Sequence, residues 1–181
     1  MKIKILYFLG NPGENFKFTY HNIAKDLIES KIKNWKSLKF CAYSSYNHLI
    51  VAKNLIFMNL SGLGVEEILK EFKIRPQEFC LVHDDADILF GKIKFQFKKD
   101  SAGHKGVESV IKKIKTNEFW RLRIGIQFKK RKKAQEFILE KLTPYHKNLF
   151  EKKLKKNFSK ILDAFEKPVE KISLPQDILY N

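Results

Sequence analysis

The sequence predicts an α/β fold, a single domain built on a twisted mixed β-sheet flanked by helices. Apolar segments with β propensity alternate along the chain with segments of helical spacing, as in this fold class. The length of 181 residues suits one domain. No repeat or linker-like segment divides the chain. We therefore expect one domain over residues 1–181, with a basic C-terminal helical part from about residue 129.

The first half of the chain predicts two strand–helix units. Residues 3–9 are apolar and end at a Gly-Asn-Pro-Gly turn, which indicates a first strand. A helix is expected from about His21, with Thr19 as its N-cap. Two short strands are expected near 38–44 and 48–53, followed by a helix that opens at Ser61-Gly62.

The second half continues the alternation. Residues 79–82 are uniformly apolar and predict a strand covered on both faces, with His83–Asp87 as a polar exit loop. Apolar and polar side chains alternate over 92–98, which predicts a strand with one buried and one basic face. Further apolar patterns predict a helix near 107–114, a strand near 122–126 and a helical stripe near 154–165.

The charge favours a polyanionic partner. Lys and Arg number 36 against 20 acidic residues, giving a formal net charge of +16, and neutralising phosphates releases counterions. A compositional bias toward Lys explains the excess as readily, so charge alone names no partner. The run Lys129–Lys133 has two open interpretations as well, a solvated turn or an RNA-phosphate patch.

The cysteines and the hydropathy point to a cytoplasmic protein. Cys41 and Cys80 lie in apolar segments without a CxxC or Cys/His spacing, which predicts buried, reduced thiols. No segment approaches the roughly 18 apolar residues of a membrane span. We expect no membrane association.

Polar residues after two of the predicted strands predict a hydrolytic site. Asn11 follows the first strand and Asp84 follows the 79–82 strand, and ligands of open α/β sheets bind outside the carboxyl ends of strands. A carboxylate on one ring nitrogen of His21 would leave the other nitrogen free to accept a proton from water. No Gly-x-Ser-x-Gly elbow is present, which favours direct attack by water. Amides such as Asn11 and Asn59 can stabilise oxyanion charge.

Five blocks that contain these residues resemble, in order, the signature of bacterial-type peptidyl-tRNA hydrolases. The resemblance covers about residues 3–126. Its blocks are Leu9–Gly13 with Thr19–Asn22, Phe57–Gly62, Val82–Asp87, Gly103–Gly106 and Phe119–Gly125.

The resemblance implies a role for each matching residue. His21 would be the general base, Asp84 would hold it in its basic form, and Asn11 would distinguish a peptide-like amine from a free aminoacyl group. The substrate would be contacted by Phe16, in place of the usual Tyr, and by Phe57, Met58 and Asn59.

Two departures from the family pattern concern binding. Lys105 stands where the family has Asn, and its ammonium can donate hydrogen bonds to substrate but cannot accept one. A phosphate clamp is implied at Arg123 and at a Lys on the 92–98 strand, where Gln96 stands here. Lys94 and Lys98 lie on the same strand face and can substitute.

The resemblance therefore implies an enzyme that hydrolyses the ester between peptide and tRNA in peptidyl-tRNA released from stalled ribosomes. It implies a cytoplasmic monomer that recycles tRNA without a metal or other cofactor. One alternative is a non-catalytic tRNA- or RNA-binding paralogue, which Lys105 favours. Another is a metal-dependent phosphoesterase whose ligands would be His83, Asp84, Asp85 and Asp87.

Overall fold

The computed structural model describes residues 1–175, 177 and 178, and within them seven strands form one sheet. The strands are β1 (Ile5–Phe8), β2 (Lys36–Ser37), β3 (Cys41–Tyr46), β4 (Leu49–Asn54), β5 (Phe79–Leu89), β6 (Ile93–Phe97) and β7 (Trp120–Gln127). The helices are α1 (Ile23–Lys31), α2 (Ser61–Glu71), α3 (Lys105–Ile114), α4 (Pro144–Leu149) and α5 (Lys155–Ala164), with a π-helical segment, Phe150–Leu154, between the last two. The predicted fold class is confirmed.

The sheet is parallel at its centre and antiparallel at its edges. Its strand order is β2-β3-β4-β1-β5-β7-β6, in which β4, β1, β5 and β7 run parallel. The outer strands β2, β3 and β6 pair antiparallel. The carboxyl ends of the parallel strands therefore meet at one edge of the sheet, where loops can bring distant residues together.

Helices cover both faces of the sheet. Successive side chains of a strand point to opposite faces, so β1 contributes to the core on each side. Leu6 and Phe8 pack with apolar residues of α1 and the C-terminal helices. Ile5, Tyr7 and Leu9 pack with α2 and α3 on the other face. None of the helices in the described part of the chain is long and apolar enough to span a membrane.

The first helix begins later than predicted. Tyr20–Asn22 form a 3₁₀ turn and α1 starts at Ile23, so His21 precedes the α-helix. Thr19 does not cap α1, because its hydroxyl donates to the carbonyl of Phe16 at 2.8 Å and stays bound to the preceding loop. From this turn the His21 side chain reaches Asp84 in β5.

Strand β5 is longer than predicted, and the expected exit loop is wrong. His83, Asp84 and Asp85 continue the strand because β7 pairs with it as far as Asp85 opposite Gly125. The register shifts between Asp85 and Leu89, which marks an irregularity beside the site. Asp84 is therefore held by the sheet itself.

Other boundaries also differ from the prediction. The short polar strand β2 was not predicted, and β3 extends to Tyr46, leaving Asn47 with a positive φ of 50° at the turn. The C-terminal helices begin at Pro144, where Thr143 accepts the cap hydrogen bond from His146 N–H. Residues 129–142 contain only one 3₁₀ turn, Ala134–Glu136, so a helical part from residue 129 is wrong.

Candidate active site

Asp84 is the centre of a buried cluster at the carboxyl edge of the sheet. Its side chain in β5 is 2% exposed. Nδ1 of His21 lies 2.9 Å from both carboxylate oxygens. Nε2 of His104, which precedes α3, lies 2.9 Å from Oδ1. Histidines from two separate segments thus converge on the carboxylate of a third.

The hydrogen bonds of His104 fix its protonation. Its Nδ1 accepts from the backbone N–H groups of Gly106 and Val107 at 3.1 and 3.3 Å, so His104 is the N-cap of α3. A ring nitrogen that accepts carries no proton, so Nε2 holds the proton and donates to Asp84. The ring of His104 is therefore neutral and tied to the helix.

The electrostatics keep Asp84 ionised and His21 basic. Burial raises the pKa of Asp84, but His21 and His104 with their hydrogen bonds lower it well below its usual range. Burial lowers the pKa of His21, whereas the charge and the hydrogen bond of Asp84 raise it, and the balance is a raised pKa. Nδ1–H of His21 donates to Asp84, which leaves Nε2 with the free lone pair.

Hydrogen bonds between the backbone of Asn11 and the side chain of Asn22 hold Asn11 beside this cluster. Its N–H donates to Oδ1 of Asn22 at 2.8 Å, and Nδ2 of Asn22 donates to its carbonyl at 2.9 Å. The side-chain Oδ1 of Asn11 accepts from the N–H of Met58 at 2.8 Å. The Nδ2 group of Asn11 makes no hydrogen bond with the described residues, so its two donors are available to a ligand.

The segment after β4 contributes an aromatic rim. The Phe57 ring is 52% exposed and contacts the ring of Phe16 edge-on, with 6.0 Å between centroids. Asn59 is exposed beside them. Phe57 and Asn59 are therefore accessible to a ligand, with Phe16 packed against the Phe57 ring.

Met58 does not line the site as predicted. Its side chain is 4% exposed and packs where α3 begins, because a Cβ at Gly106 would lie 2.6 Å from its Sδ. The residue instead contributes its backbone N–H to Asn11. The close approach of the Met58 turn to Gly106 buries this side chain.

A cavity of about 170 Å³ opens beside His21 and Asp84. Lys105, the first residue of α3, lies exposed on its wall. Ala134 and Ile138 close it from the segment after β7. The remaining lining comes from residues 85–87 and 101–104. The cavity is therefore lined both by His21, the expected general base, and by Lys105, which stands where the family has Asn.

The predicted phosphate-binding residues are only partly together. Nε of Arg123 lies 2.6 Å from Oδ2 of Asp85, and its Nη1 donates to Gln96 at 2.6 Å. Lys94 is exposed on β6, directly opposite Arg123. Lys98 lies apart from Arg123, because it follows the end of β6 that pairs with the start of β7. Its ammonium is 2.8 Å from the carboxylate of Glu118.

The side chains proposed as phosphoesterase ligands do not converge. Nδ1–H of His83 donates to the carbonyl of Asp84 at 2.6 Å, and burial lowers the pKa of its ring. Asp85 binds Arg123, and Asp87 pairs with Arg131. His21, Asp84 and His104 have ligand atoms within 4.8 Å of one another, but hydrogen bonds account for their arrangement.

Sequence reasoning missed two residues that organise the site, His104 and Asn22. Both occur inside the blocks that carry the family resemblance, directly before a helix, but without a role. His is not among the residues preferred at the N-cap, so the helical pattern after His104 gives no signal that singles it out. Its contact with Asp84 joins residues 20 apart in sequence and has no local signal.

Comparison with known proteins shows the family of this chain. The family model described as peptidyl-tRNA hydrolase matches residues 5–174. The chain belongs to this family. A peptidyl-tRNA hydrolase of Sulfurihydrogenibium is 35% identical, covering 93% of this chain and 94% of its own. That of Aquifex aeolicus is 34% identical, with 92% of each chain covered.

The fold agrees with solved peptidyl-tRNA hydrolase structures as well. The crystal structure of the enzyme from Acinetobacter baumannii superposes with a TM-score of 0.76 at 23% identity, covering 91% of this chain and 87% of the other. Nothing in these comparisons favours the non-catalytic or the phosphoesterase alternative. The likeness to these structures shows the fold of the chain.

Proposed function

We propose that this chain hydrolyses the ester bond between peptide and tRNA in peptidyl-tRNA, with His21 as general base. The observation that carries the proposal is the bond from His21 Nδ1 to the buried carboxylate of Asp84, which leaves Nε2 available beside a cavity. Ser101, the hydroxyl in the cavity wall, donates to Glu108 at 3.4 Å rather than to a histidine. This arrangement favours water over a side-chain nucleophile.

The reaction proceeds in two proton transfers. Nε2 of His21 takes a proton from water as the oxygen attacks the ester carbonyl carbon, forming a tetrahedral oxyanion. The carbon–oxygen bond to the terminal ribose then breaks, and the imidazolium returns the proton to the ribose oxygen. The products are tRNA and a peptide carboxylic acid, which releases its remaining proton to solvent and becomes the carboxylate. Asp84 stabilises the imidazolium, and general-base catalysis of this kind contributes about 10²–10⁴-fold.

Five side chains are assigned to substrate contacts, and Lys105 is the one among them that lines the cavity beside His21. Nδ2 of Asn11 donates to a peptide carbonyl, which a free aminoacyl group lacks, and Asn59 binds beside it. Phe16 and Phe57 stack on the terminal base. Lys105 donates to the oxyanion or to a phosphate oxygen, and its positive charge substitutes for a neutral amide at this position.

The partner is the acceptor end of tRNA. Lys94 and Arg123 contribute positive charge next to the site, although Asp85 already neutralises Arg123. Lys98 contributes to RNA binding only by long-range attraction, since it is paired with Glu118. A cytoplasmic monomer that recycles tRNA from stalled ribosomes fits the two buried free cysteines. We also propose one domain over the whole chain, since the described strands share one sheet.

A cleavage assay on the purified protein tests the proposal. Wild type should release peptide from peptidyl-tRNA in the presence of EDTA, and His21→Ala should abolish release. His48→Ala is the matched control, because His48 is exposed in the turn before β4, at the opposite edge of the sheet. Full activity in His21→Ala would overturn the assignment of the base. Hydrolysis that requires added Mg²⁺ would overturn the metal-independent mechanism.

A further inference from the structure

The basic run Lys129–Lys133 forms a loop that is held by one buried side chain. Gln127, at the end of β7, is 6% exposed. Its Oε1 accepts from the N–H groups of Phe128 and Lys132 at 2.9 and 3.0 Å. Its Nε2 donates to the carbonyls of Ala86 at 2.6 Å and Lys132 at 3.0 Å. The Oε1 of Gln127 thus holds the backbone of the loop, and its Nε2 connects the loop to β5 through Ala86.

The charge of this loop is largely uncompensated. All five side chains of the run are exposed, and Arg131 pairs with Asp87. The four lysines have no acidic partner among the residues that the structure describes. Lys132 lies over the ring of Phe128, 4.5 Å from its centroid, which holds that ammonium near the surface of β7. The lysines are therefore available to an anionic ligand.

The loop lies at the rim of the catalytic cavity. A second, open cavity of about 490 Å³ is lined by Gln127, by residues 131–135 and by Ala86 and Asp87. Ala86, Asp87 and Ala134 also line the cavity beside His21. An RNA strand whose ester reaches His21 can lie along this rim, which carries five consecutive basic residues.

We propose that Lys129, Lys130, Lys132 and Lys133 bind the phosphodiester backbone of the tRNA acceptor arm, and that Gln127 is their positioning residue. The inference rests on the proposed function and assigns RNA binding to a surface separate from Arg123, whose charge is taken up by Asp85. Backbone contacts of this kind place an RNA without reading its sequence.

RNA suits this loop better than an anionic membrane. Peripheral membrane segments pair their cations with exposed apolar side chains that enter the lipid. The run itself contains none, and Phe128 is half-buried beneath Lys132. A phosphodiester chain needs only spaced cations, which this run supplies.

The test compares two variants with the same reduction in charge. The loop variant replaces the four lysines by Gln. The control variant replaces Lys2, Lys73, Lys112 and Lys115, which are exposed and make no ion pair in the described part of the chain. Lys2 precedes β1, Lys73 follows α2, Lys112 lies in the last turn of α3 and Lys115 follows that helix, so all four lie at the opposite sheet edge. Each variant is assayed on full-length peptidyl-tRNA and on an N-blocked aminoacyl-adenosine, which has the ester but no phosphodiester chain.

We expect the loop variant to lose about 10–100-fold in kcat/KM on peptidyl-tRNA, mostly through KM, and to keep its rate on the adenosine ester. The dependence of log kcat/KM on log salt should become shallower by about 0.7–0.9 for each phosphate that the loop no longer neutralises. The control variant should change far less in both respects.

Several results would overturn the inference. They are an equal decrease in the control variant, an equal decrease on both substrates, or an unchanged salt dependence. A loop variant that loses binding to anionic vesicles with unchanged tRNA affinity would assign the surface to a membrane instead. A wild type that binds tRNA through the loop without cleaving either ester would overturn the proposed function and leave this inference standing.

Gln127→Met tests the positioning role separately. It conserves side-chain length but removes the hydrogen bonds that hold residues 128 and 132. The expected result is a higher KM for peptidyl-tRNA with an unchanged kcat on the adenosine ester. A merely structural role would lower both activities together, and that outcome would overturn the role given to Gln127.

Discussion

His21 and His104 donate to the same carboxylate oxygen. Nδ1 of His21 and Nε2 of His104 each lie 2.9 Å from Oδ1 of Asp84, and the two rings are 4.9 Å apart. One histidine is held neutral by the amides of a helix, while the other keeps a free nitrogen at the cavity. The same carboxylate thus connects the start of α3 to the proposed base.

Asp84→Asn should lower activity and shift the acid limb of the profile of kcat/KM against pH. Activity requires neutral His21, so kcat/KM should rise with pH through the pKa of His21, which Asp84 holds above its ordinary value of 6.5. Removing the negative charge lowers that pKa, so the acid limb should move to lower pH. The plateau should fall by about 10²–10⁴-fold because the tautomer is no longer fixed. A pH profile of kcat/KM between 5 and 8 measures both. An unmoved limb would exclude His21 as the titrating group.

His104→Asn should separate the cap from the hydrogen bond to Asp84. Asn remains a good N-cap for α3, but it is too short to donate to Asp84. With one donor fewer, the carboxylate becomes more basic and attracts the proton of His21 more strongly. We expect the acid limb to move to higher pH and kcat to fall about 10-fold, with little change in stability.

His104→Ala is the comparison for that variant, since it removes the cap as well. Loss of an N-cap costs about 1 kcal/mol of folding free energy. Urea unfolding of the two variants measures this difference. If His104→Asn kept the wild-type profile, the hydrogen bond from His104 to the carboxylate would have no influence on the base.

Asn11→Asp should impair substrate binding and lower the melting temperature. The new side chain still accepts from Met58 N–H, but it has no donors for a peptide carbonyl and places a charge at a buried position. We expect kcat/KM to fall about 10–100-fold, because a buried polar group left without its partner costs about 1–3 kcal/mol. Asn11→Ala should also destabilise the protein by about 1–3 kcal/mol, since the N–H of Met58 loses its partner. Equal activity of Asn11→Asp and wild type would remove Asn11 from the site.

Asp26→Asn should stabilise the protein at neutral and alkaline pH. Burial raises the pKa of Asp26 to about 7, with a smaller opposing effect of the hydrogen bond from Phe18 N–H. The folded state therefore binds a proton more tightly than the unfolded state, whose pKa is about 4. The stability of wild type should fall as pH rises from about 4 to about 7.

The Asn side chain keeps an acceptor for Phe18 N–H and carries no charge. The gain should be on the order of 1–3 kcal/mol at pH 8 and should vanish near pH 4. Urea unfolding at the two pH values measures it. A gain that is equal at both values would contradict the raised pKa.

Much of the fold follows from periodicity, but some boundaries depend on neighbouring strands. The central parallel strands are apolar runs long enough to be recognised from composition. His83–Asp85 are polar and look like a loop, yet pairing with β7 keeps them in β5. Strand β2 has two exposed residues, and only its partner β3 makes it a strand.

In the candidate site, too, some features follow from the sequence and others depend on neighbouring elements. The rule that ligands bind at the carboxyl ends of parallel strands was enough to place Asn11, His21 and Asp84 in one region. The ion pair between Arg123 and Asp85 could not be predicted, because it depends on the register of β5 and β7. The burial of Met58 likewise depends on how closely its turn approaches Gly106.

The backbone amides at the N-cap of α3 can be used to monitor the geometry of the site. The amide protons of Gly106 and Val107 point at His104, whose other nitrogen binds Asp84. Their exchange with solvent deuterium should therefore be slow only while the catalytic geometry is intact, and their resonance frequencies should shift when the carboxylate loses a partner. Two backbone amides outside the chemistry thus allow the assembly of the site to be followed by NMR without substrate, even in variants that no longer turn over.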